Sequence, residues 1–228
     1  MRTLAIIPAR KGSKRIPDKN IKDFCGQPMI KYAIDAARNT TLFEEIVVST
    51  DGNKIGNYAA RHDCIYYKRP SYLEGPGIGM ADIIIDVLQN RENIESYDYV
   101  CMLYACSPFA TSTLLGNSYK KLIEGEYDVV YPVYRGPQIE RVLMKRGMEM
   151  ISRFPQFDTE NSNNWLDAYY HAGIFFWSRI STLMLYKNFM SGKQYGYIIN
   201  WWEAIDIDEP DDWIKAEMLY RNFILENR

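Results

Sequence analysis

Two short stretches of this sequence hold residue types that can act on a charged substrate. The first, Pro8 to Asn20, reads PARKGSKRIPDKN and sets Arg10, Lys11, Lys14, Arg15 and Lys19 against one acid, Asp18, for a formal charge of +4. Gly12 and Ser13 permit a tight turn with free backbone N–H groups, a geometry that cradles phosphate oxygens. Arg adds forked donors and Lys a mobile point charge, the neutralisation that a triphosphate with departing pyrophosphate requires. The order is not that of a Walker A loop, because Gly12-Ser13-Lys14 lacks the G-x-x-x-x-G-K-[ST] frame. A solvated basic loop without a ligand is the alternative. Its place after a buried strand in a near-neutral chain favours phosphate.

The second stretch is Asp206-Ile207-Asp208. If extended, residues two apart point to one face, and both carboxylates look into a common site. Mg²⁺ takes a few carboxylate oxygens and completes six-coordination with water and substrate phosphates. Two acids opposite a basic triphosphate loop suit that ion; the alternative is a strand end whose Asp208 caps the final helix.

These residues need a scaffold, and the pattern supplies one. Leu4 to Ile7 reads as a buried strand, Pro28 to Ala37 as a helix with Ile30, Ala33, Ile34 and Ala37 on one face, and Glu45 to Ser49 as a β-branched strand. A helix over Asn53 to Arg61, a strand over Cys64 to Tyr67, a helix over Ile83 to Leu88 and a strand over Tyr99 to Tyr104 follow. Thr111 to Ile123 reads as a helix and Val129 to Tyr134 as a strand. This alternation predicts an α/β fold, a mostly parallel sheet of βαβ units with ligands at the carboxyl ends of its strands. Residues 135–170 break the pattern with short strand-like pieces and the polar run Asp158 to Asn164, a long insertion of the functional or interaction type. A ring-rich strand resumes at Gly173 to Trp177. The last helix starts at Pro210 with Asp211 and Asp212 at its positive pole and a stripe of Trp213, Ala216, Tyr220 and Phe223.

At 228 residues the chain fits one domain, 1–228, with that insertion inside it. Lys plus Arg number 27 against 29 acids, which argues against a general nucleic-acid binder. No apolar run is long enough for a signal peptide or a membrane span. Cys25, Cys64, Cys101 and Cys106 show no metal-like spacing, and a reducing cytoplasm is the expected setting.

The basic loop resembles the signature loop of CMP-sialic acid synthetases, A-R-x-x-S-K-x-x-P-x-K-N, with every fixed position met. Ile205-Asp206-Ile207-Asp208 matches the I-D-I-D segment that precedes the last helix in that family. Ser49-Thr50-Asp51, Arg69-Pro70 and Ser107-Pro108 fall where relatives have S-T-D, R-P and P-T-S-P, so the similarity runs from Ile6 to Trp213. Ile21 to Met29, Tyr104 to Phe109, Arg141-Val142-Leu143 and Gly173 to Trp177 resemble the pseudaminic acid cytidylyltransferases in particular. The resemblance implies a Rossmann-like nucleotidyltransferase fold that transfers CMP from CTP to an acidic nine-carbon sugar, with Mg²⁺ on Asp206 and Asp208. It gives Arg10, Ser13, Lys14 and Lys19 to the CTP phosphates, with Gly12 in the cradle, Asn20 to the base or ribose, and Arg69 to the nucleotide. Lys19 and Arg10 join the two acids as the catalytic set. It places Tyr104, Ser107, Tyr170, His171 and Phe175 at the sugar and selects Arg141 as forked partner for the sugar carboxylate. The insertion at 135–170 is implied to be a homodimerisation arm.

The sequence departs from the family at three places. Glu74-Gly75-Pro76-Gly77-Ile78-Gly79-Met80 replaces an acidic, hydroxyl-rich loop that touches the nucleotide, H-D-A-G becomes Tyr170-His171-Ala172-Gly173 with Ile174 after it, and Glu140 replaces a Gln beside Arg141. Competing expectations are a nucleotidyltransferase for a KDO-like sugar or another base, a D-x-D glycosyltransferase, and a non-catalytic nucleotide-sugar sensor.

Overall fold

A computed structural model describes residues 1–75 and 77–226. Pro76, within the altered 74–80 loop, lies outside the described residues. Strand β1 (Thr3–Pro8) leads through the basic loop to a small hairpin, β2 (Asp23–Phe24) and β3 (Gln27–Pro28), and helix α1 (Met29–Asn39). Then come β4 (Glu45–Thr50), α2 (Asn53–Arg61), β5 (Ile65–Lys68), α3 (Met80–Gln89), β6 (Tyr99–Leu103), α4 (Ser112–Glu124) and β7 (Val129–Arg135). An arm with the hairpin β8 (Leu143–Arg146) and β9 (Glu149–Ser152) precedes β10 (Tyr169–His171), β11 (Phe175–Arg179), α5 (Ile180–Tyr186), β12 (Gln194–Ile198) and α6 (Pro210–Tyr220).

The central sheet orders these strands β12, β7, β11, β6, β1, β4, β5, with β10 on the β11 side of β7. β1 runs parallel to both β4 and β6, and only β10 and β11 run against their neighbours. The expected mostly parallel α/β sheet is therefore present. Its centre is the apolar run Leu4–Ile7, fully buried because a strand covered on both faces must be hydrophobic throughout. On one face Ile30, Ala33, Ile34 and Ala37 of α1 pack with Leu115 and Leu122 of α4 and with Trp177; on the other, Ile84, Val87 and Leu88 of α3 pack with Leu183 of α5. A third apolar group, Ile16, Phe24, Met29, Phe109, Ile207 and Trp213, joins the basic loop to the chain's last helix.

The expected strand at Gly173 to Trp177 begins only at Phe175. β10 and β11 are two pieces of one interrupted strand against β7: His171 pairs with Val133, but Trp177 pairs with Val130. Six residues on one side thus span three on the other, and the three extra residues form a kink in which Gly173 has φ +66°. The kink is a bulge that re-aims side chains at the sheet's edge. Beyond α6 the chain continues as a π-helical turn over Arg221–Leu225, so Phe223 leaves the predicted stripe and stacks on Trp202 instead.

The arm is closed at its base where Arg135 of β7 pairs with Tyr169 of β10 and its guanidinium bonds Asp167. Its hairpin carries Leu143, Met148 and Met150 in exposed positions, Met148 at 99%. No helix among the described residues is long and apolar enough to cross a membrane.

Candidate active site

The carboxyl ends of β1, β4, β5 and β6 lie on one edge of the sheet, and the candidate residues follow them. The basic loop leaves β1, Asp51 follows β4, Arg69 follows β5 and Tyr104 follows β6. The kink between β10 and β11 closes the edge from the other side, where the carbonyl of Ile174 accepts from the Tyr104 N–H (2.9 Å) and the Ser107 hydroxyl (3.4 Å).

Three contacts pin the basic loop. The Lys11 N–H donates to Asp51 Oδ1 (2.6 Å), the Ile16 side chain is buried in the third core group, and Asn20 Nδ2 donates to the Arg10 carbonyl (3.0 Å). Asp18, at φ +53°, turns the chain into the short 3₁₀ turn Lys19–Ile21. A loop held in this way keeps Arg10, Lys11 and Lys14 at the surface, and among the described residues their side-chain charges have no ion-pair partner. Such pre-positioned, unpaired cations suit an incoming polyanion. Asn20, expected at the base or ribose, is instead buried and spends its amide on loop closure. Gly12 is not sterically required, since a Cβ there meets nothing within 4 Å.

Asp206-Ile207-Asp208 meets this loop from the far end of the chain. Ile207 is fully buried, and the flanking carboxylates both feel Lys19 and Arg15. Lys19 Nζ donates to the Ile207 carbonyl (2.6 Å) and sits 3.3 Å from Asp208 Oδ1; Arg15 Nη2 lies 2.9 Å from Asp208 Oδ2 and Nη1 lies 2.7 Å from Glu209 Oε1. The two carboxylates differ in consequence. Asp206 is exposed as a residue, and its carboxyl carbon lies 3.5 Å from where a Cβ of Gly173 would stand. Partial burial and then the charge of Asp208 push its pKa up. For Asp208 burial pulls upward, but Lys19 and Arg15 together outweigh it and hold the group below the ordinary carboxylate range. Asp208 does not cap the final helix. Asp212 accepts from the N–H groups of Asp208 (3.1 Å) and Glu209 (2.8 Å), with Glu209 as N-cap, which leaves the Asp208 side chain to its ion pairs.

The expected sugar residues divide. Tyr104 is half-buried beside Asp206, and burial followed by that charge raises its pKa. Ser107 is buried. His171 stacks on Phe176 (4.4 Å, 13°), accepts from the Gly173 N–H through Nδ1 (3.0 Å) and, with Tyr131, Tyr169, Met190 and Ile198, lines a cavity of about 490 Å³. Phe175 is sealed in the core and offers no ligand surface; Tyr170 instead packs on Gly136 and donates to the Pro137 carbonyl (2.9 Å). The three extra residues explain the position of Phe175, because an odd offset reverses which face each later side chain takes. Arg141 stands in the arm over Trp165, 5.2 Å from the ring centroid, and its backbone contact is Gln138. Arg69 is buried, with its Nη2 donating to the Ser49 carbonyl (2.8 Å) and its Nε unpartnered. Burial depresses its pKa, while Asp51 and Glu74 oppose that.

The acids fit a hard divalent cation. Asp206 makes no hydrogen bond or ion pair among the described residues, and the neighbouring charge of Asp208 acts on it more strongly than Lys19 or Arg15 does. No group of three or more possible ligands occurs among the described residues, so the remaining positions would fall to water and phosphate, as Mg²⁺ allows. Arg15, Asp51 and Asp212 organise the site without having been assigned to it by sequence. For Asp212 the signal was present, an acid at the third helical position behind Glu209-Pro210.

Comparison with known proteins gives a consistent picture. A family model described as cytidylyltransferase matches residues 4–227. The chain is 31% identical to pseudaminic acid cytidylyltransferase of Campylobacter jejuni over 97% of both chains. It is 30% identical to CMP-N,N'-diacetyllegionaminic acid synthase of Legionella pneumophila over 96% of both. Among solved structures, a CMP:2-keto-3-deoxy-manno-octonic acid synthetase complexed with CTP superposes with a TM-score of 0.71 at 16% identity, covering 97% of this chain and 99% of that one. The latter likeness establishes the fold.

Proposed function

The chain belongs to the cytidylyltransferase family, and on that premise we propose that it transfers CMP from CTP to the anomeric hydroxyl of an acidic nine-carbon sugar of the sialic acid type. The observation that carries this reading is the meeting of the basic loop with Asp206 and Asp208, two segments about 190 residues apart joined through Lys19 and Arg15. A cation-rich loop joined to a carboxylate pair is what a metal–triphosphate complex requires.

In the reaction the C2 hydroxyl oxygen forms a bond to the α-phosphorus in line with the bond that breaks to the bridging oxygen, and pyrophosphate leaves. Arg10, Lys14 and Lys19, with the N–H groups of Gly12 and Ser13, bind the phosphates and stabilise the charge that builds on the leaving group. The proton of the attacking hydroxyl leaves to a base or to solvent as that bond forms. Asp206 and Asp208 would hold Mg²⁺, which when bound supplies charge neutralisation at the reacting phosphates. Tyr104 and His171 face the acceptor. Because Gly173 donates to Nδ1, a neutral His171 carries its proton on Nε2 and presents it as a donor. The exposed apolar residues of the arm hairpin support a homodimer, with Arg141 offered to the partner's sugar carboxylate. Four free cysteines suit a reducing cytoplasm.

Asp206→Asn tests the mechanism, since it keeps the shape of the site and removes one charge. Turnover per folded protein is expected to fall by at least ~100-fold, on the scale of losing a principal charge stabiliser. CTP binding without metal is expected to change little. Normal turnover with an unshifted Mg²⁺ midpoint would remove the carboxylates from the mechanism.

A further inference from the structure

Both oxygens of Asp208 are taken, one by each of two cations from the basic loop: Lys19 Nζ at Oδ1 (3.3 Å) and Arg15 Nη2 at Oδ2 (2.9 Å). Arg15 is the more restrictive partner. Its other nitrogen holds Glu209 (2.7 Å), the N-cap of α6, so the guanidinium fork is fixed across two acids rather than swinging on one. Asp206 has no such partner, which leaves one carboxylate open and one closed in the same pair. Lys19 is also tied to the Ile207 carbonyl (2.6 Å), so its placement persists without Asp208, whereas Arg15 has only its two acids among the described residues.

We propose that Arg15 is a positioning residue that keeps Asp208 closed to divalent cations until a polyphosphate draws the guanidinium away, so that metal and nucleotide bind as a coupled pair. This rests on the nucleotidyltransferase reading of the site. A triphosphate brings several negative charges to a loop whose cations have few anionic partners. The arriving phosphate competes with Asp208 for Arg15, and the released carboxylate then has an oxygen to give a metal. By linkage, each ligand then tightens the other by the same factor. The arrangement disfavours loading with metal alone and makes the complete substrate complex the state that opens both carboxylates.

The test uses Mn²⁺ alone, titrated into the nucleotide-free full chain, with free ion counted by electron paramagnetic resonance. Arg15→Gln is expected to bind Mn²⁺ roughly fivefold more tightly than the parent, the upper end for releasing a half-exposed ion pair. The gain is expected to vanish in Arg15→Gln/Asp208→Asn, because the carboxylate being released is then absent. Arg15→Lys, which keeps the charge and loses the fork, is expected to fall between parent and Gln variant. Equal affinities in parent and Gln variant, absence of binding to either, or a gain that survives in the double variant would overturn the inference. If the Gln variant does not fold, the Lys variant decides, and an affinity equal to the parent's overturns it. Asp206→Asn separates the two layers of argument. Undiminished Mn²⁺ binding in that variant moves the metal away from these carboxylates and brings down the metal reading, whereas a silent Arg15 with a responsive Asp206 brings down only the latch.

Discussion

Single side chains here take their chemistry from neighbours that the sequence does not reveal. Asp206 and Asp208 are identical in type and two residues apart, yet burial raises one while Lys19 and Arg15 hold the other low. Which residues could do chemistry was legible: the charge-dense stretch Pro8 to Asn20 and the paired acids meet through Lys19 and Arg15. What each side chain spends its donors on was not, because that depends on packing; Asn20 closes the loop, and Phe175 turns into the core after the kink. His171 yields a prediction at this scale. Burial lowers its pKa, so the folded protein holds fewer protons than the unfolded chain just below the ordinary histidine value. Its contribution is complete above that value and is lost as the pH falls through it toward the lower folded pKa. His171→Phe, which keeps a ring on Phe176, is expected to flatten the acid limb of stability below the ordinary histidine value of about 6.5. Chemical denaturation across that range checks it; an unchanged slope places the effect elsewhere.

At the scale of elements, buried and strongly periodic segments were readable and edges were not. The α1 stripe of Ile30, Ala33, Ile34 and Ala37 and the bounds of α2 emerge as expected, since burial of one helical face imposes the 3.6-residue period. β12, QYGYI, lies at the sheet edge beside β7 with its ends exposed, so neither alternation nor a continuous apolar run marks it. α5 follows β11 with no side-chain cap and spans seven residues, too few to establish a period. Two changes probe the elements that carry the acids. Asp212→Ala removes the acceptor for two backbone N–H groups at the start of α6 and is expected to cost about 1 kcal/mol, whereas Asp208→Ala is expected to cost under about 1 kcal/mol because its pairs are half-exposed. Urea midpoints compare them, and the opposite order would return the cap to Asp208. Gly173→Ala forces a side chain into the left-handed region and is expected to lose about 1–2 kcal/mol. A variant as stable as the parent would show that the kink relaxes freely.

For the whole molecule, the sheet brings two ends of the chain to one edge and leaves an arm with exposed Leu143, Met148 and Met150 outside the packed body. The alternating pattern was enough to anticipate the sheet and the edge that holds the site, because βαβ units fix both. The hairpin in the arm was not legible in the same way, since its strands are short and largely exposed and carry no clear apolar pattern. Light scattering at micromolar concentration is expected to give twice the chain mass, and a fully active monomer would exclude shared sites. The central claim is tested most directly by pyrophosphate release with Mg²⁺ and each of the four nucleoside triphosphates, against a panel of acidic eight- and nine-carbon sugars. The account predicts release only when CTP is paired with a nine-carbon acid of the sialic or pseudaminic type. Faster release with UTP or GTP, or none with CTP across the whole panel, would contradict it.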